Sequence, residues 1–266
     1  MSRTPKWERL WLIPLICVIA SSAFADTNDS PCNGMLAIVN RPTIADSPCT
    51  APNKKFILEF GYEYLNLLEG IQGQSYPFAE LRYGLPANNE IFVFFPTYIH
   101  LSTRPRSGFS EMAVGYKHEL FYTSRMIATL DGSIVPSSGS RAFGSKGWGG
   151  VINGIFSFNL SEKLSFTSQL GFSSQTQSVL AGGKRFTSVN PDAFFSWFPV
   201  DKLEIYAEIY GQSKTAPDEG SGFNAAAGFI FLPFKNMTID FEGGQRMRGF
   251  LGGVENYVAA GAAIQF

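Results

Sequence analysis

The residues best suited to catalysis are His100 and Ser102, whose spacing can place a base and a nucleophile on one face of an extended strand. Activation of the serine needs a third group that orients the histidine, and no asparagine follows Ser102 within fifty residues. The chain has only two histidines, His100 and His118, which excludes a multi-histidine metal site. The glycine cluster from Gly144 to Gly150 lacks the spacing of a phosphate-binding loop. The sequence therefore predicts a protein that is not an enzyme, with no metal and no cofactor.

Charged side chains recur at every second position of several apolar stretches, and they are the candidate solute-contacting groups. Between Leu203 and Gln212, for example, Glu204 and Glu208 alternate with aliphatic residues. Alternation places the charged groups on one face of a strand, and charged groups that line a pore select the solutes that pass. The predicted inward-facing set is Glu59, Glu63, Glu80, Arg82, Glu111, Lys117, Asp131, Asp192, Glu204, Glu208, Asp240, Glu242 and Arg246.

This set can act in two ways, and the sequence leaves both open. Arg82 and Lys117 can pair with neighbouring glutamates and fill the interior, as in small barrels, or the charged groups can face a solute path. Carboxylates outnumber bases in either case. The excess of acid argues against a pore for acidic sugars or phosphate, which favour clustered arginines.

The elements that carry these residues are predicted to be strands, because the sequence keeps a period of two from Phe56 almost to its end. The runs cover residues 55–65, 74–85, 89–100, 108–119, 123–135, 148–159, 163–174, 186–198, 202–212, 222–233, 236–247 and 256–266. Short connections such as Pro86 to Asn88 alternate with longer Gly- and Ser-rich ones such as Pro136 to Gly147. This pattern predicts an all-β fold, a transmembrane up-and-down antiparallel β-barrel of about 12 strands. A secreted β-sandwich could bury the same apolar faces but does not explain the regular alternation of long and short loops.

The third run is apolar on both faces, so its register stays open. If Glu90 points into the barrel, Phe92 and Phe94 form part of an aromatic line in the lumen. A register shifted by one residue turns the same two rings toward lipid.

The first 25 residues have the three zones of a secretory signal peptide. Basic residues up to Arg9 precede an apolar run from Leu10 to Ala20, and Ala23 to Ala25 is a small-x-small cleavage site. We expect cleavage before Asp26. The mature protein is therefore predicted to be exported from the cytoplasm.

Residues 26–54 are polar, rich in proline and without alternation, and are predicted to be a periplasmic segment ahead of a barrel over residues 55–266. The sequence leaves open whether this segment plugs the barrel from the periplasmic side. Cys32 and Cys49 are the only cysteines after the signal peptide. An oxidising compartment favours a disulfide between them, although two free thiols or a partner in another chain remain alternatives.

The last strand, Tyr257 to Phe266, ends on an aromatic residue. In bacterial outer-membrane barrels such an ending resembles the signal read by the barrel-assembly machinery, so Phe266 is the candidate assembly signal. We expect a location in the bacterial outer membrane with both termini periplasmic. The expected partners are outer-membrane lipid, the barrel-assembly machinery and small solutes, and the net charge of −1 gives no reason to expect nucleic acid.

The chain from about Leu58 to its end resembles the family of bacterial outer-membrane proteins named for the MetA pathway of phenol degradation, often described as transporters. The residues that carry the resemblance are Leu81-Arg82-Tyr83-Gly84-Leu85, Glu90, Pro96, Gly115-Tyr116-Lys117, Pro136 and Phe266. The cysteine pair lies outside the family pattern. The resemblance implies a monomeric barrel that admits small hydrophobic or aromatic compounds, with no catalytic residues to carry over.

The sequence thus predicts a passive channel or transporter for small solutes, hydrophobic or aromatic compounds among them. An alternative is a structural or adhesive surface barrel with a plugged lumen. A third is an outer-membrane esterase, because His100 and Ser102 match the His-x-Ser of outer-membrane phospholipase A, a twelve-stranded family. Thr103 and Arg104 stand where that family has Asn-Gly, which argues against this third function.

Overall fold

The computed structural model describes residues 30–266, most of which form one closed antiparallel sheet. The elements are the helix α1 (Met35–Ile38) and the strands β1 (Phe56–Leu67), β2 (Gln72–Tyr76), β3 (Glu80–Leu85), β4 (Asn89–Phe94), β5 (Tyr98–Leu101), β6 (Ser107–Phe109), β7 (Ala113–Tyr122), β8 (Met126–Val135), β9 (Gly149–Ser161), β10 (Leu164–Thr176), β11 (Arg185–Val200), β12 (Leu203–Gln212), β13 (Gly222–Phe234), β14 (Met237–Arg248) and β15 (Val254–Gln265). The predicted signal peptide lies outside the described residues. No helix within residues 30–266 is both long enough and apolar enough to cross a bilayer.

The strands make twelve spans, which confirms the predicted barrel. Three predicted runs are each divided in two: β2 and β3 separate at Pro77, β4 and β5 at Pro96, and β6 and β7 at residues 110–112. Proline has no N–H to donate to a ladder, so it interrupts strand pairing at the first two breaks. The barrel closes where β15 pairs with β1 from Ile57 to Leu67.

The closing seam continues to the end of the chain. The backbones of Phe56 and Phe266 exchange two hydrogen bonds of 3.0 Å each, and their rings stack with centroids 5.8 Å apart. Every backbone polar group of a membrane-spanning sheet needs a partner, which a closed cylinder provides. The last strand is therefore held on both of its edges, by β14 and by β1.

Side-chain burial is the reverse of that in a soluble protein. Glu204 and Glu208 of β12 are buried inside the barrel, whereas Ile205 and Ile209 on the opposite face are exposed. The exposed apolar surface includes Tyr62, Val114, Tyr116, Leu130, Ile152, Phe156, Leu170, Phe172, Phe195, Trp197, Phe229, Phe231, Ile239, Phe241 and Val258. An apolar exterior around a polar interior is what a bilayer requires of a barrel.

The structure also settles the register of the third span. Phe92 is 3% exposed, and Ile91 beside it is 45% exposed. Phe92 and Phe94 therefore point into the lumen on the same face as the buried Glu90, and Ile91 faces outward.

Candidate functional site

Residues 30–54, the lumen segment, lie inside the barrel, where many of their side chains are buried. Met35 and Ile38 of α1 pack in one buried cluster with Ile57, Ile127 and Ile230, side chains from three separate strands of the wall. The physical reason is that twelve spans enclose more space than their own side chains fill. The predicted disulfide between Cys32 and Cys49 is present and closes a loop of the lumen segment.

One side of the barrel holds the lumen segment with ionic groups, which we call the charged wall. It consists of Glu59, Glu80, Arg82, Glu90, Lys117 and Glu119, from β1, β3, β4 and β7. The Glu59 carboxylate accepts hydrogen bonds from the N–H groups of Asn40 (3.0 Å) and Arg41 (2.8 Å). Glu119 accepts two more from Thr50, through its N–H (2.7 Å) and its hydroxyl (2.8 Å). The carboxylates therefore accept hydrogen bonds from backbone N–H groups of the lumen segment. These N–H groups lie outside the sheet and have no partner in its strand ladders.

Arg82 occupies the centre of the charged wall and is completely buried. Its guanidinium pairs with Glu59 (2.9 Å) and Glu90 (2.8 Å). It also donates hydrogen bonds to the carbonyls of Ile38 and Cys49, on two sides of the disulfide-closed loop. A buried cation with this many partners is satisfied only while the lumen segment is in place.

Lys117 has a similar position, and its contacts identify a functional residue that sequence reasoning missed. Its ammonium donates to the side-chain oxygen of Asn40 (3.2 Å) and to the carbonyl of Ser47 (2.9 Å). The amide nitrogen of Asn40 donates to Glu80 (3.0 Å). One amide thus joins a base and an acid of the wall. A single polar residue in an irregular segment carries no periodicity that could have identified it.

Glycines of the wall make room for the lumen segment at two places. Gly61 and Gly261 face each other across the closing seam, and a Cβ on either would lie within about 2.5 Å of the Arg41 guanidinium. Arg41 reaches over this niche to pair with Asp240 (3.2 Å). At Gly84 a Cβ would lie 2.3 Å from the Ala51 carbonyl oxygen, so only glycine permits this approach.

The opposite wall contacts the lumen segment at residues 43–46, which we call the latch loop. The Glu208 carboxylate of β12 accepts hydrogen bonds from the N–H groups of Ile44 (3.0 Å) and Ala45 (3.1 Å). The side-chain oxygen of Gln169, on β10, accepts one from the N–H of Asp46 (3.0 Å). Burial raises the pKa of the Asp46 carboxyl.

Two cavities lie above and below the latch loop. The upper one, of about 420 Å³, opens toward the long loops. Its lining includes Glu63, Phe78, Phe94, Asn153, Gln169, Tyr210, Asn224, Glu242 and Tyr257. The lower one, of about 120 Å³, is lined by apolar residues and by polar ones that include Ser157, Asn159, Ser165, Thr167, Ser196 and Glu204. Thr43 of the latch loop lines both cavities.

Several predicted inward residues take their hydrogen bonds from the wall itself. Glu63 accepts from the Ser75 hydroxyl (2.9 Å), and Asp131 accepts from the Asn153 amide (2.8 Å). Glu204 accepts from the Ser196 hydroxyl. These groups polarise the lumen surface without contacting the lumen segment through a hydrogen bond.

Glu242 is the centre of a tyrosine cluster beside the upper cavity. It accepts hydrogen bonds from the hydroxyls of Tyr206 and Tyr257, and Tyr210 donates to Tyr257 (3.1 Å). Asp192, in contrast, is buried with no hydrogen-bond partner for either carboxylate oxygen among the described residues.

Two predicted lumen residues lie apart from the others. Glu111 is half-buried at the break between β6 and β7. Arg246 is near the end of β14 and pairs with Glu255 (2.9 Å) at the rim, where both side chains are partly exposed. Neither is brought to the lumen segment by a hydrogen bond or ion pair in residues 30–266.

These features define a class of fold, that of outer-membrane β-barrels. The COG4313 outer-membrane channel from Pseudomonas putida F1 superposes with a TM-score of 0.67 at 9% identity, over 85% of this chain and 100% of that one. The NanC porin gives a TM-score of 0.54 at 11% identity, over 79% and 98% of the two chains. The KdgM porin gives 0.52 at 10% identity, over 79% and 99%. No protein-family model and no curated protein sequence matches the chain.

At these identities the similarity establishes the fold and assigns no solute. The resemblance to the family named for phenol degradation therefore stays a prediction.

Proposed function

We propose that this protein is a passive outer-membrane channel for small solutes, with its long loops outside the cell and both termini in the periplasm. The observation that carries the proposal is the uneven attachment of the lumen segment. The charged wall anchors it through many buried contacts, while two cavities remain beside it, separated at Thr43, which lines both. The similarity of the fold to channels and porins supports the same function.

The latch loop is the element that separates the two cavities, and we propose that it is the gate. Three backbone N–H groups, of Ile44, Ala45 and Asp46, hold it to Glu208 and Gln169. A small outward movement of this loop would join the cavities while Arg82 and the disulfide keep the rest of the segment in place. Local opening of a few hydrogen bonds costs far less free energy than release of the whole segment.

The lining of the upper cavity favours small neutral solutes, aromatic ones among them. Phe78 and Phe94 provide apolar contact, and Tyr210, Asn224 and Tyr257 provide polar groups. The only base in this lining, Arg41, is paired with Asp240. The KdgM porin has been observed with oligogalacturonate, an acidic sugar. We expect the acid-rich lumen of this chain to reject such solutes.

The lumen segment also supports a second function, a closed structural or adhesive barrel. The latch loop leaves no joined path in the structure as it stands, because the cavities are separate. Planar-bilayer conductance of the purified full-length protein separates the two functions. Discrete opening events are expected of a channel, and silence at all voltages and pH values would favour the closed barrel.

Solute choice is tested by swelling of liposomes that contain the full-length protein. Neutral and aromatic solutes of matched size are expected to enter faster than acidic sugars. Faster entry of the acidic sugars would contradict the proposed role of the lumen carboxylates.

We expect no enzyme activity from His100 and Ser102. The Ser102 hydroxyl oxygen accepts a hydrogen bond from the Gln72 N–H (3.0 Å), and His100 is exposed on β5. A lipase assay that compares the parent with Ser102→Ala tests this, and serine-dependent turnover would refute it.

A further inference from the structure

We propose that two packed loops form a docking surface for the phosphate groups of an anionic outer-leaflet lipid. The surface, which we call the basic patch, consists of Arg141 and Lys146 between β8 and β9, and of Lys184 and Arg185 between β10 and β11. The proposal rests on the outer-membrane placement argued above, which puts the long loops outside the cell. It goes beyond the channel function, because the patch lies outside the lumen.

The two loops hold each other in a defined arrangement. The Lys146 N–H donates to the Gln177 carbonyl (3.3 Å), and the Leu180 N–H donates to the Arg141 carbonyl (3.0 Å). Gly147 donates its N–H to the Thr176 hydroxyl (2.9 Å). The four bases are thus carried on one packed unit.

The basic patch has an unbalanced charge. No Asp or Glu occurs in residues 136–148 or 174–187. Lys184 pairs with Asp218 of the next loop (2.9 Å), whose carboxyl pKa is lowered by this hydrogen bond and by the lysine charge. Within residues 30–266, Arg141, Lys146 and Arg185 form no ion pair. An anion from outside the chain would complete this arrangement.

The bases also lie close together. A Cβ built on Gly183 would lie 1.9 Å from Cδ of Lys146, so the stem of Lys146 crosses the residue that precedes Lys184. A Cβ on Gly147, the residue after Lys146, would lie 3.8 Å from a guanidinium nitrogen of Arg185. Neighbouring cations of this kind repel one another in the absence of an anion and bind phosphate well.

The surface next to the basic patch is suited to lipid rather than to a soluble anion. Arg185 donates hydrogen bonds to the Trp148 carbonyl and to the Ser174 hydroxyl, and the Trp148 side chain is 64% exposed. Below it, Phe172 pairs with Ile152 on one side and Val189 on the other, and all three side chains are exposed. Aromatic and basic residues typically meet lipid headgroups at this level, with aliphatic residues beside the acyl chains.

An anionic solute on its way through the barrel explains the patch less well. Arg185 shares its strand face with the outward-facing Val189, not with the buried Asp192. The upper cavity adds carboxylates such as Glu63 and Glu242 to the path that a solute would follow. The phosphate of a lipid would pair with the bases of the basic patch, and its acyl chains would contact Ile152, Phe172 and Val189.

The test measures binding of lipid A, a phosphorylated outer-leaflet lipid, to the detergent-solubilised full-length protein. The variant Arg141→Gln/Lys146→Gln/Arg185→Gln removes the three unpaired charges. A matched control, Arg104→Gln/Arg106→Gln/Arg248→Gln, removes three exposed charges elsewhere, two between β5 and β6 and one at the end of β14. A further variant, Arg141→Gln/Lys146→Gln, keeps the hydrogen bonds of Arg185 in case their loss disturbs folding.

We expect the triple patch variant to bind lipid A roughly 100-fold more weakly than the parent at low salt. The double variant is expected to show a smaller loss of affinity, and the control is expected to bind like the parent. Dephosphorylated lipid A is expected to bind all proteins weakly. Equal binding by patch variant and parent, or an equal loss in the control, would overturn the proposal. Competition by millimolar inorganic phosphate would overturn the lipid as the occupant. Conductance of the same preparations reports the channel function separately, so failure of one does not imply failure of the other.

Discussion

Replacement of Glu208 by alanine should release the latch loop and raise the open fraction of the channel. Glu208 accepts hydrogen bonds from the N–H groups of Ile44 (3.0 Å) and Ala45 (3.1 Å) and is buried in the wall. Without its carboxylate, two of the three wall contacts of the latch loop are lost. The anchors on the charged wall are on other strands and stay intact.

The size of the effect follows from these two hydrogen bonds. A buried hydrogen bond contributes about 0.5 to 1.5 kcal/mol net, so the pair contributes about 1 to 3 kcal/mol to the closed position. Water in the upper cavity can hydrate the freed N–H groups and offset part of this loss. Even about 1.4 kcal/mol corresponds to a roughly 10-fold change in the equilibrium between closed and open.

Single-channel recording in planar bilayers measures the open fraction directly. Glu204→Ala is the matched control, because Glu204 is also a buried, inward-facing glutamate of β12 but accepts its hydrogen bond from Ser196 in the wall. We expect Glu208→Ala to be open much more often than the parent and Glu204→Ala to resemble the parent. An unchanged open fraction in Glu208→Ala, or an equal rise in Glu204→Ala, would refute the gating role of the latch loop.

Three further predictions concern the segment, the wall and the seam. Replacement of both Cys32 and Cys49 by alanine should remove about 3 kcal/mol of constraint from the lumen segment and speed its cleavage by added protease, whereas unchanged protection would show that the wall contacts suffice. Arg82→Met should destabilise the barrel by about 3 to 5 kcal/mol in urea unfolding, because it leaves buried carboxylates without their cation. Arg246→Met, which breaks a partly exposed pair, should cost about 1 kcal/mol or less, and equal losses would contradict the role of burial. Deletion of Phe266 should reduce outer-membrane insertion while export continues, as judged by heat-modifiable gel mobility, and normal insertion would argue against an assembly signal there.

The strand pattern was predictable because each strand carries its own evidence. In β12 every second residue is polar, and the two sets face the lumen and the outer surface as predicted. The third span was not predictable, since Ile91 to Phe95 are apolar on both faces. Pairing with β3 and β7 decided it, because it places Glu90 beside Gly84 and Lys117.

The candidate site was predictable only in part. Alternation identified Glu59, Arg82, Lys117 and Glu208 as inward-facing residues, and all four are buried in the barrel. It could not reveal that their partners are backbone groups of residues 38–51, since each contact joins positions far apart in the chain.

The sequence alone therefore determined the class of fold and, in the strands that alternate clearly, the side of the wall on which each charge lies, because a period of two is a local property of a strand. The tertiary structure decided the position of residues 30–54 relative to the barrel, which the sequence left open. That segment has no repeating pattern, and its location depends on whether distant wall residues satisfy its backbone. The same contacts attach the lumen segment to the charged wall on one side and to Glu208 and Gln169 on the other.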